Sequence, residues 1–409
     1  MLSRPRGTRD MLPEEMERRR EIEARMRAKA RTWGYREVVT PTFEELDLFT
    51  IRSGDGIIDE MYVFEDKGGR SLALRPELTA PVLRMFVNEG RSLIKPIKWC
   101  YFADCYRYER PQKGRYRQFW QFGVELIGAD SAMADAEIIM VASELLRVAG
   151  VTFTLKIGHL SFMRTLLKDL SDTHQKKVRS FLDKRDTDAA FEFLKEIERA
   201  DLSIPLQNLI DARTLEQVFD VIGEIPEADR IRETFDILTN EGVSYEINPA
   251  IARGLDYYTG IVFECFAEGL GAENQILGGG AYRLAHLFGG EDTPSVGFAI
   301  GFDRVMVSIG EDIWMPFQPQ VTIIFTPQAR MRGLTVAKKL REAGIICGID
   351  LMGRGFSAQM KSAGKVADYA VIIGEEEVKS GLVTLKNLDD GSQQTIALSE
   401  AIQSIQSGS

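Results

Sequence analysis

The chain has 409 residues, 44% apolar and 27% charged, which excludes a disordered polymer and leaves room for two or three domains. No apolar run approaches the roughly 20 residues that a membrane span needs, and the basic N-terminus has no apolar signal core behind it, so a cytoplasmic protein without a membrane partner is expected. The net charge of −10 disfavours nucleic acid as a partner, yet a basic stripe on an acidic protein is enough, and Arg107–Arg117 supplies five basic residues against the single acid Glu109.

In chain order, residues 14–33 predict a helix. Met16, Ile22, Met26, Ala30 and Trp33 form an approximate stripe at 3.6 spacing, and Gly34 follows. Val38 and Val39 favour a strand that Pro41 breaks. A second helix is predicted from Thr79, an N-cap residue type, with Pro81 in its first turn and Gly90 as its stop. Residues 99–109 and 118–128 are rich in aromatic and β-branched side chains and flank the turn chemistry of Pro111–Gly114. They predict an antiparallel hairpin with a long basic loop. A helix over 132–149 follows, striped by Ile138, Val141, Leu145 and Val148. Residues 160–245 are charge-rich and helical in pattern and read as an insertion packed against a core. Strand character returns at 245–266. Beyond Pro316 and Pro319, strand (321–326), helix (330–343), strand (345–351), helix (357–363) and strand (369–374) alternate. That order predicts a small α/β domain with right-handed crossovers, ending in a polar tail, Gln403–Ser409.

The cysteines Cys100, Cys105, Cys265 and Cys347 form no C-x-x-C pair. With only His159, His174 and His286 to complement them, they make a poor zinc set, so buried thiols and no structural metal are expected. The histidines offer no evident nucleophile–base pair.

The hairpin carries the chemistry. Alternation along its second strand puts Trp120, Phe122, Val124 and Leu126 on one wholly apolar face, which belongs to a core. Phe119, Gln121, Gly123 and Glu125 share the other face, and Arg107 and Glu109 share a face on the first strand. A carboxylate, an amide, an aromatic ring and a gap suit the floor of a polar pocket better than a solvated sheet. Arg107 could grip a phosphate in a fork, Phe119 could stack on a planar base, and Glu125 could accept from an N–H-bearing ligand. No Walker A sequence is present. Gly278–Gly280 reads equally as a turn or as a close backbone approach to a ligand.

Here a resemblance enters. The run from Arg107 to Phe119 resembles the motif 2 loop of class II aminoacyl-tRNA synthetases in its histidyl form. Gly34 through Pro41 with Glu44 resembles motif 1, which implies a homodimer. Gly297–Arg304 resembles motif 3, and Arg253–Gly260 resembles the histidine-binding signature of histidyl-tRNA synthetases and their paralogues. The resemblance covers nearly the whole chain. It implies an α/β (α+β) fold: a class II core with a mixed, mainly antiparallel sheet flanked by helices, a helical insertion and a C-terminal α/β anticodon-binding domain. The expected segments are 1–159, 160–245, 246–318 and 319–409, the first and third forming the core.

It also implies an activity, ATP-dependent activation of L-histidine and its transfer to tRNA(His), with magnesium accompanying the ATP. By resemblance, Glu77 and Thr79 hold the α-amino group of histidine. Gln121 and Arg253 orient its carboxylate, and Glu125 and Tyr258 meet the imidazole with Tyr257 close by. Arg107 contacts the α-phosphate, Arg115 and Arg304 reach the outer phosphates, and Phe119 with Arg304 sandwiches the adenine. Arg107 and Arg253 form the catalytic pair, acting by placement and charge stabilisation. Each also has a structural reading: Arg253 as an ion-pair partner, Arg115 as a solvated loop residue, Tyr257 as core, Arg304 as a helix cap. Gln112, Lys113, Arg115 and Arg117 face the acceptor stem in this class, and the helical insertion either clamps the acceptor arm or is a solvated lobe. One departure stands out. Family members usually read Gly-Gly-Arg-Tyr-Asp, whereas here Gly279-Gly280-Ala281-Tyr282-Arg283 keeps the tyrosine but alters the arginine and aspartate positions, leaving Tyr282 a weak candidate. The rival reading is a paralogue, a histidine-sensing regulatory subunit of ATP phosphoribosyltransferase, which typically lacks the C-terminal domain.

Overall fold

The computed structural model describes residues 2–53, 55–109, 114–184, 186–251, 258–270, 274–310 and 320–407. The chain divides into two compact units, Met1–Ile313 and Trp314–Ser409.

The first unit opens with helix α1 (Pro13–Thr32). Pro13 takes its first position, Glu14 and Glu15 face its positive end, and Gly34 at φ +84° turns the chain out of it. Short strands β1 (Arg36–Glu37) and β2 (Phe43–Glu45), helix α2 (Asp47–Ser53), strands β3 (Val63–Glu65) and β4 (Ser71–Leu74) and helix α3 (Thr79–Met85) follow. The long hairpin is β5 (Ile97–Tyr106) and β6 (Gln118–Ile127). Helix α4 (Ala132–Val148) is capped by the Ser131 hydroxyl, which accepts from the Ala134 N–H. After β7 (Phe153–His159) come six helices: α5 (Leu160–Leu166), α6 (Asp172–Asp183), α7 (Thr187–Glu196), α8 (Ser203–Asp211), α9 (Leu215–Ile222) and α10 (Ala228–Asn240). Then β8 (Glu246–Ile247), β9 (Tyr258–Ala267), β10 (Gln275–Tyr282), β11 (Ser295–Gly301) and α11 (Phe302–Ile309) complete the unit.

Eight strands form one sheet in the order β1-β5-β6-β11-β10-β9-β7-β8. Among the described residues only β1–β5 and β7–β8 pair in parallel, so the sheet is mixed and mainly antiparallel, as expected. Its apolar face carries Phe122, Val124, Leu126, Phe263, Phe298 and Ile300. That face joins one continuous core with Ile22 and Met26 of α1, Ile138 and Leu145 of α4, and Phe162, Leu206, Phe219 and Phe235 of the helices over 160–240. The helical segment is therefore part of the sheet's own core. A separate three-stranded sheet, β2-β4-β3, lies outside the large one in the hydrogen-bond ladder.

The second unit holds a five-stranded sheet, β13-β12-β14-β15-β16. Its strands are β12 (Gln320–Phe325), β13 (Ile346–Ile349), β14 (Tyr369–Ile373), β15 (Val383–Asn387) and β16 (Gln393–Ile396), with helices α12 (Arg330–Glu342), α13 (Phe356–Ala363), α14 (Glu375–Ser380) and α15 (Leu398–Ser407). The β12, β13 and β14 pairings are parallel, as the alternation predicts, while β14, β15 and β16 are antiparallel.

Three local expectations are corrected. Val38 and Val39 are not a strand. The paired residues are Arg36 and Glu37, Val38 donates a single further bond to the Cys100 carbonyl (2.9 Å), and Val39 is exposed. Thr79 does not cap α3: it is the first helical residue, and the carboxylate two positions earlier, Glu77, accepts from the Thr79 N–H (2.6 Å) and the Ala80 N–H (3.1 Å). The polar tail is helical as far as Ser407, the end of α15, whose Ala401 and Ile405 close the second unit's core. Ile405 is fully buried, so Ile405→Ala should lower the unfolding free energy of that unit by about 2–4 kcal/mol in urea titrations, while Ser404→Ala should change it by less than about 0.5 kcal/mol. Equal midpoints for the two variants would show that α15 adds nothing to the core.

Candidate active site

On the open face of the large sheet, side chains are removed where a ligand would need room. Glu125 of β6 lies opposite Gly297 of β11, and Gly297 lies opposite Gly280 of β10. In the neighbouring row Tyr101, Gly123, Ala299 and Gly278 follow one another across four strands. A Cβ at Gly297 would stand 1.9 Å from Glu125 Oε2, one at Gly123 2.1 Å from the Tyr101 ring, and one at Gly280 2.9 Å from the Tyr258 ring. The two readings of Gly278–Gly280 are thus resolved: the run is a sheet strand whose bare backbone forms a floor. Above it lies a cavity of about 430 Å³, within the range of small-molecule sites.

The cavity gathers residues far apart in sequence. Glu77, Thr79, Arg107, Arg115, Phe119, Gln121, Tyr258 and Arg304 all line it. Glu125 projects from the same face as the missing Gly297 side chain but is covered there, 1% exposed. Arg253 and Tyr257 lie outside the described residues, as do Gln112 and Lys113 of the basic loop. Arg107 Nε donates to the Pro76 carbonyl (2.9 Å), and its guanidinium lies 5.3 Å from the Phe119 ring centroid. Arg115 Nε approaches Glu109 Oε2 at 3.0 Å, and Arg304 Nη1 donates to the Gln275 carbonyl. Gln121 Oε1 accepts weakly from the Cys105 thiol at 3.4 Å. Along β6, Phe119 and Glu125 are six residues apart, roughly 20 Å at strand rise. The arginines cluster toward the Phe119 end.

Glu125 is the most constrained group in the site. Its Oε1 accepts from the Thr79 hydroxyl (2.9 Å) and the Tyr101 hydroxyl (3.1 Å), and its Oε2 accepts from the Tyr282 hydroxyl. Burial pushes its carboxyl up to about 7; the hydroxyls of Tyr282, Thr79 and Tyr101 pull it back, and the Glu77 charge adds to the rise. Tyr101 and Tyr282 are thus site residues that sequence reasoning missed or held only as weak. The signal for Tyr101 is an aromatic ring opposite a glycine, legible only once the hairpin register is known.

Asp303 was missed as well. Its carboxylate, 2% exposed, accepts from Arg19 Nη1 (2.9 Å), from Arg9 and from the Trp120 N–H (2.8 Å). Arg9 also stacks on Tyr116 at 3.6 Å, and the Gly7 carbonyl accepts from the Arg117 N–H (2.9 Å). The N-terminal segment therefore ties the hairpin's loop end to the helix start that carries Arg304. Arg75 does the same beside Glu77: 3% exposed, it donates to the Thr40 carbonyl (2.8 Å) and to both the carbonyl and the carboxylate of Asp104. Cys100, Cys105 and Cys265 are buried free thiols, pushed up by burial, and Cys347 is half-buried.

Comparison with known proteins decides what this arrangement belongs to. Residues 7–305 match the family model described as histidyl-tRNA synthetase, and residues 320–408 match that of the anticodon binding domain. A histidine–tRNA ligase of Methanospirillum hungatei is 72% identical over 407 residues, covering 100% of both chains. The chain belongs to the histidyl-tRNA synthetase family. Among solved structures, the apo histidyl-tRNA synthetase of S. aureus matches with a TM-score of 0.74 at 27% identity, over 99% of this chain and 100% of its own. A structure described as an ATP phosphoribosyltransferase regulatory subunit/histidyl-tRNA synthetase from Bacillus halodurans matches with a TM-score of 0.78 at 26% identity, over 91% of this chain and 98% of its own. The class II core and the C-terminal anticodon-binding domain expected from the motifs are the fold of this family. No helix among the described residues is long and apolar enough to cross a membrane.

The poised carboxyl gives a pH prediction. In the folded chain Glu125 keeps a proton between about pH 4.5 and 7 that the unfolded chain has released, so its contribution to stability falls as pH rises through that window and levels off above it. The loss amounts to something on the order of 3 kcal/mol. Glu125→Gln cannot ionise, so its melting temperature relative to the parent should climb from pH 4.5 to 7 and then stay flat. Parallel pH profiles would mean that burial does not hold the proton there.

Proposed function

We propose that this chain ligates histidine to tRNA(His) and that the cavity over the glycine floor performs the activation step. In that step a histidine carboxylate oxygen attacks the α-phosphorus of ATP. The bond to the β-phosphate bridging oxygen breaks, and pyrophosphate leaves. The 3′-terminal ribose hydroxyl of the tRNA then attacks the acyl carbon, and AMP departs. No general base is needed for the first step, because the nucleophile already carries its charge.

The observation that carries this reading is the polarity of the cavity along β6. Carboxylates Glu77 and Glu125 with Thr79 stand at one end, and Arg107, Arg115, Arg304 and Phe119 stand at the other. Thr79 spends its hydroxyl proton on Glu125, so its oxygen offers lone pairs alone and suits an ammonium donor. Glu77 adds negative charge beside it for the same α-amino group. Gln121, between the two ends, suits the amino-acid carboxylate together with Arg253. Glu125 and Tyr258, with Tyr257 near, recognise the imidazole; a carboxyl at about 7 beside an imidazole of about 6.5 lets the pair share a proton near neutrality.

At the other end Arg107 reaches the α-phosphate and its developing charge, Arg115 and Arg304 take the outer phosphates, and Phe119 and Arg304 enclose the adenine. Magnesium would enter with ATP. Among the described residues no group of three or more ligating side chains is placed to hold a metal, and the lining carboxylate Glu264, which accepts from Gln275 Nε2 (3.0 Å), suits an ion brought in by phosphates. We further propose the segments 1–159 and 246–318 as the catalytic domain, 160–245 as its insertion and 319–409 as the tRNA anticodon module. The homodimer expected from motif 1 is supported by exposed Val39 and by Phe43, Val63 and Phe64 on the small sheet. The regulatory-subunit reading is disfavoured, because the C-terminal domain is present and the full-length relative at 72% identity is a ligase.

Pyrophosphate exchange into ATP, run with all twenty amino acids, should proceed with histidine alone. A folded protein that exchanges with none would sink the reading. Glu125→Ala should abolish discrimination among amino acids, and retained selectivity would remove Glu125 from the pocket. Arg253→Ala should lower exchange by two orders of magnitude or more with the fold intact, as for loss of a preorganised charge, about 10²–10³-fold; near-normal exchange would remove Arg253 from the catalytic pair.

A further inference from the structure

A second, smaller cavity of about 180 Å³ lies behind the histidine end of the first, and Tyr282 lines both. Its walls include Asp130, Asp135, His159, Arg230 and Arg283, none of which lines the reaction cavity. These charges form one chain of contacts. Arg230, in the first turn of α10, donates to Asp135 Oδ2 through Nε (2.9 Å) and approaches it through Nη2 (2.8 Å). Its third nitrogen donates to Asp130 Oδ1. The other oxygen of Asp130 accepts from Arg283 Nη2 (2.5 Å), and Arg283 Nη1 donates to Asp292 (3.0 Å). Arg283 directly follows Tyr282, whose hydroxyl holds Glu125.

Two further facts make this chain more than a surface ion cluster. Asp135 is 4% exposed, its Oδ1 has no hydrogen-bond partner among the described residues, and Arg230 is the cation paired with this buried carboxylate. The strand leading to Tyr282 is Gly278-Gly279-Gly280-Ala281, with an irregular register between Gly280 and Tyr282. The glycines themselves add no side chain to the packing there, and Tyr282 is held by its strand ladders and by its burial among Leu83, Phe86 and Ile127. The Arg230–Asp130–Arg283 tie adds a further, polar anchor one residue beyond the tyrosine.

We infer that Arg230 is a positioning residue for the histidine pocket: from the helical segment it fixes Arg283, hence Tyr282, hence the Glu125 carboxylate. His159 adds nothing ionic to the tie. Its Nδ1 accepts from the Ser161 N–H (3.2 Å), which leaves a neutral ring beside the cavity. The inference rests on the proposed reading of Glu125 and Tyr282 as the imidazole end of the site.

The experiment is steady-state pyrophosphate exchange on the full-length chain, with KM for histidine, KM for ATP and kcat measured separately. Arg230→Ala should raise KM for histidine on the order of 10- to 100-fold, the usual cost of losing a supporting partner, with KM for ATP unchanged. Arg230→Lys should recover part of that. Arg232→Ala, two residues along α10 and paired with Glu224, should match the parent. Should Arg230→Ala fail to fold around the bare Asp135, Asp130→Asn breaks the same tie at a half-exposed position and should give the same selective rise. In a Tyr282→Phe background either change should have little further effect. Equal rises in both KM values, or full additivity with Tyr282→Phe, would overturn the inference and leave Arg230 a merely structural residue. A Tyr282→Phe enzyme with unaltered KM for histidine would instead overturn the underlying reading of the pocket.

Discussion

A carboxylate buried on the face of a sheet that glycines leave bare is the constraint on which the site depends. Placing Glu125 in the interior requires donors, and the fold brings three hydroxyls to it from three elements: Thr79 at the start of α3, Tyr101 on β5 and Tyr282 on β10. Each donor in turn needs space. Gly123 makes room for the Tyr101 ring and Gly297 for the carboxylate itself. Any side chain at those positions would meet atoms at well under contact distance, so the glycine rows and the buried acid presuppose each other. The hollow above them follows from the same omission.

The other end of the cavity is organised by a buried acid in its wall. Asp303 collects Arg9, Arg19 and the Trp120 N–H, joining the N-terminal segment, α1, β6 and α11 at one buried point. The neighbours in sequence of these anchors, Phe119 and Arg304, are the groups that face the cavity. A buried ion cluster that holds backbone registers together lets adjacent side chains be aimed without being tied down themselves. Arg75, wedged between residues 40–41 and Asp104, serves Glu77 in the same manner.

Much of this was legible in the sequence. Period-2 alternation along 119–126 separates core from pocket correctly, because Trp120, Phe122, Val124 and Leu126 are all large and apolar while Gln121, Gly123 and Glu125 between them are not. Family motifs add the residues of the pocket rim. What the sequence does not carry is cross-strand register: Glu125, Gly297 and Gly280 are far apart in the chain, and only the ladder puts them side by side. Local capping was misread for a related reason. Thr79 is a favourable cap type, but Glu77 takes the helix end, freeing the threonine hydroxyl for Glu125. The strand signal of Val38 and Val39 fails because the edge of the sheet lies two residues earlier and Val39 has no surface to pack on. The tail was misjudged because Ala401 and Ile405, four apart, are a helical stripe too short to stand out among polar neighbours.

The weakened acidity of the Glu125 carboxyl has a meaning beyond folding. On the proposed reading, the pocket meets a side chain that itself exchanges a proton near neutrality. A carboxyl tuned to about 7 can then act as the matched half of a conjugate pair. Asparagine and glutamine approximate the size and hydrogen-bonding edges of histidine, yet neither can give or take a proton in that range. Selection at such a site would test acid–base character as well as outline: a ligand that fits but cannot share the proton leaves the buried acid to resolve its charge alone.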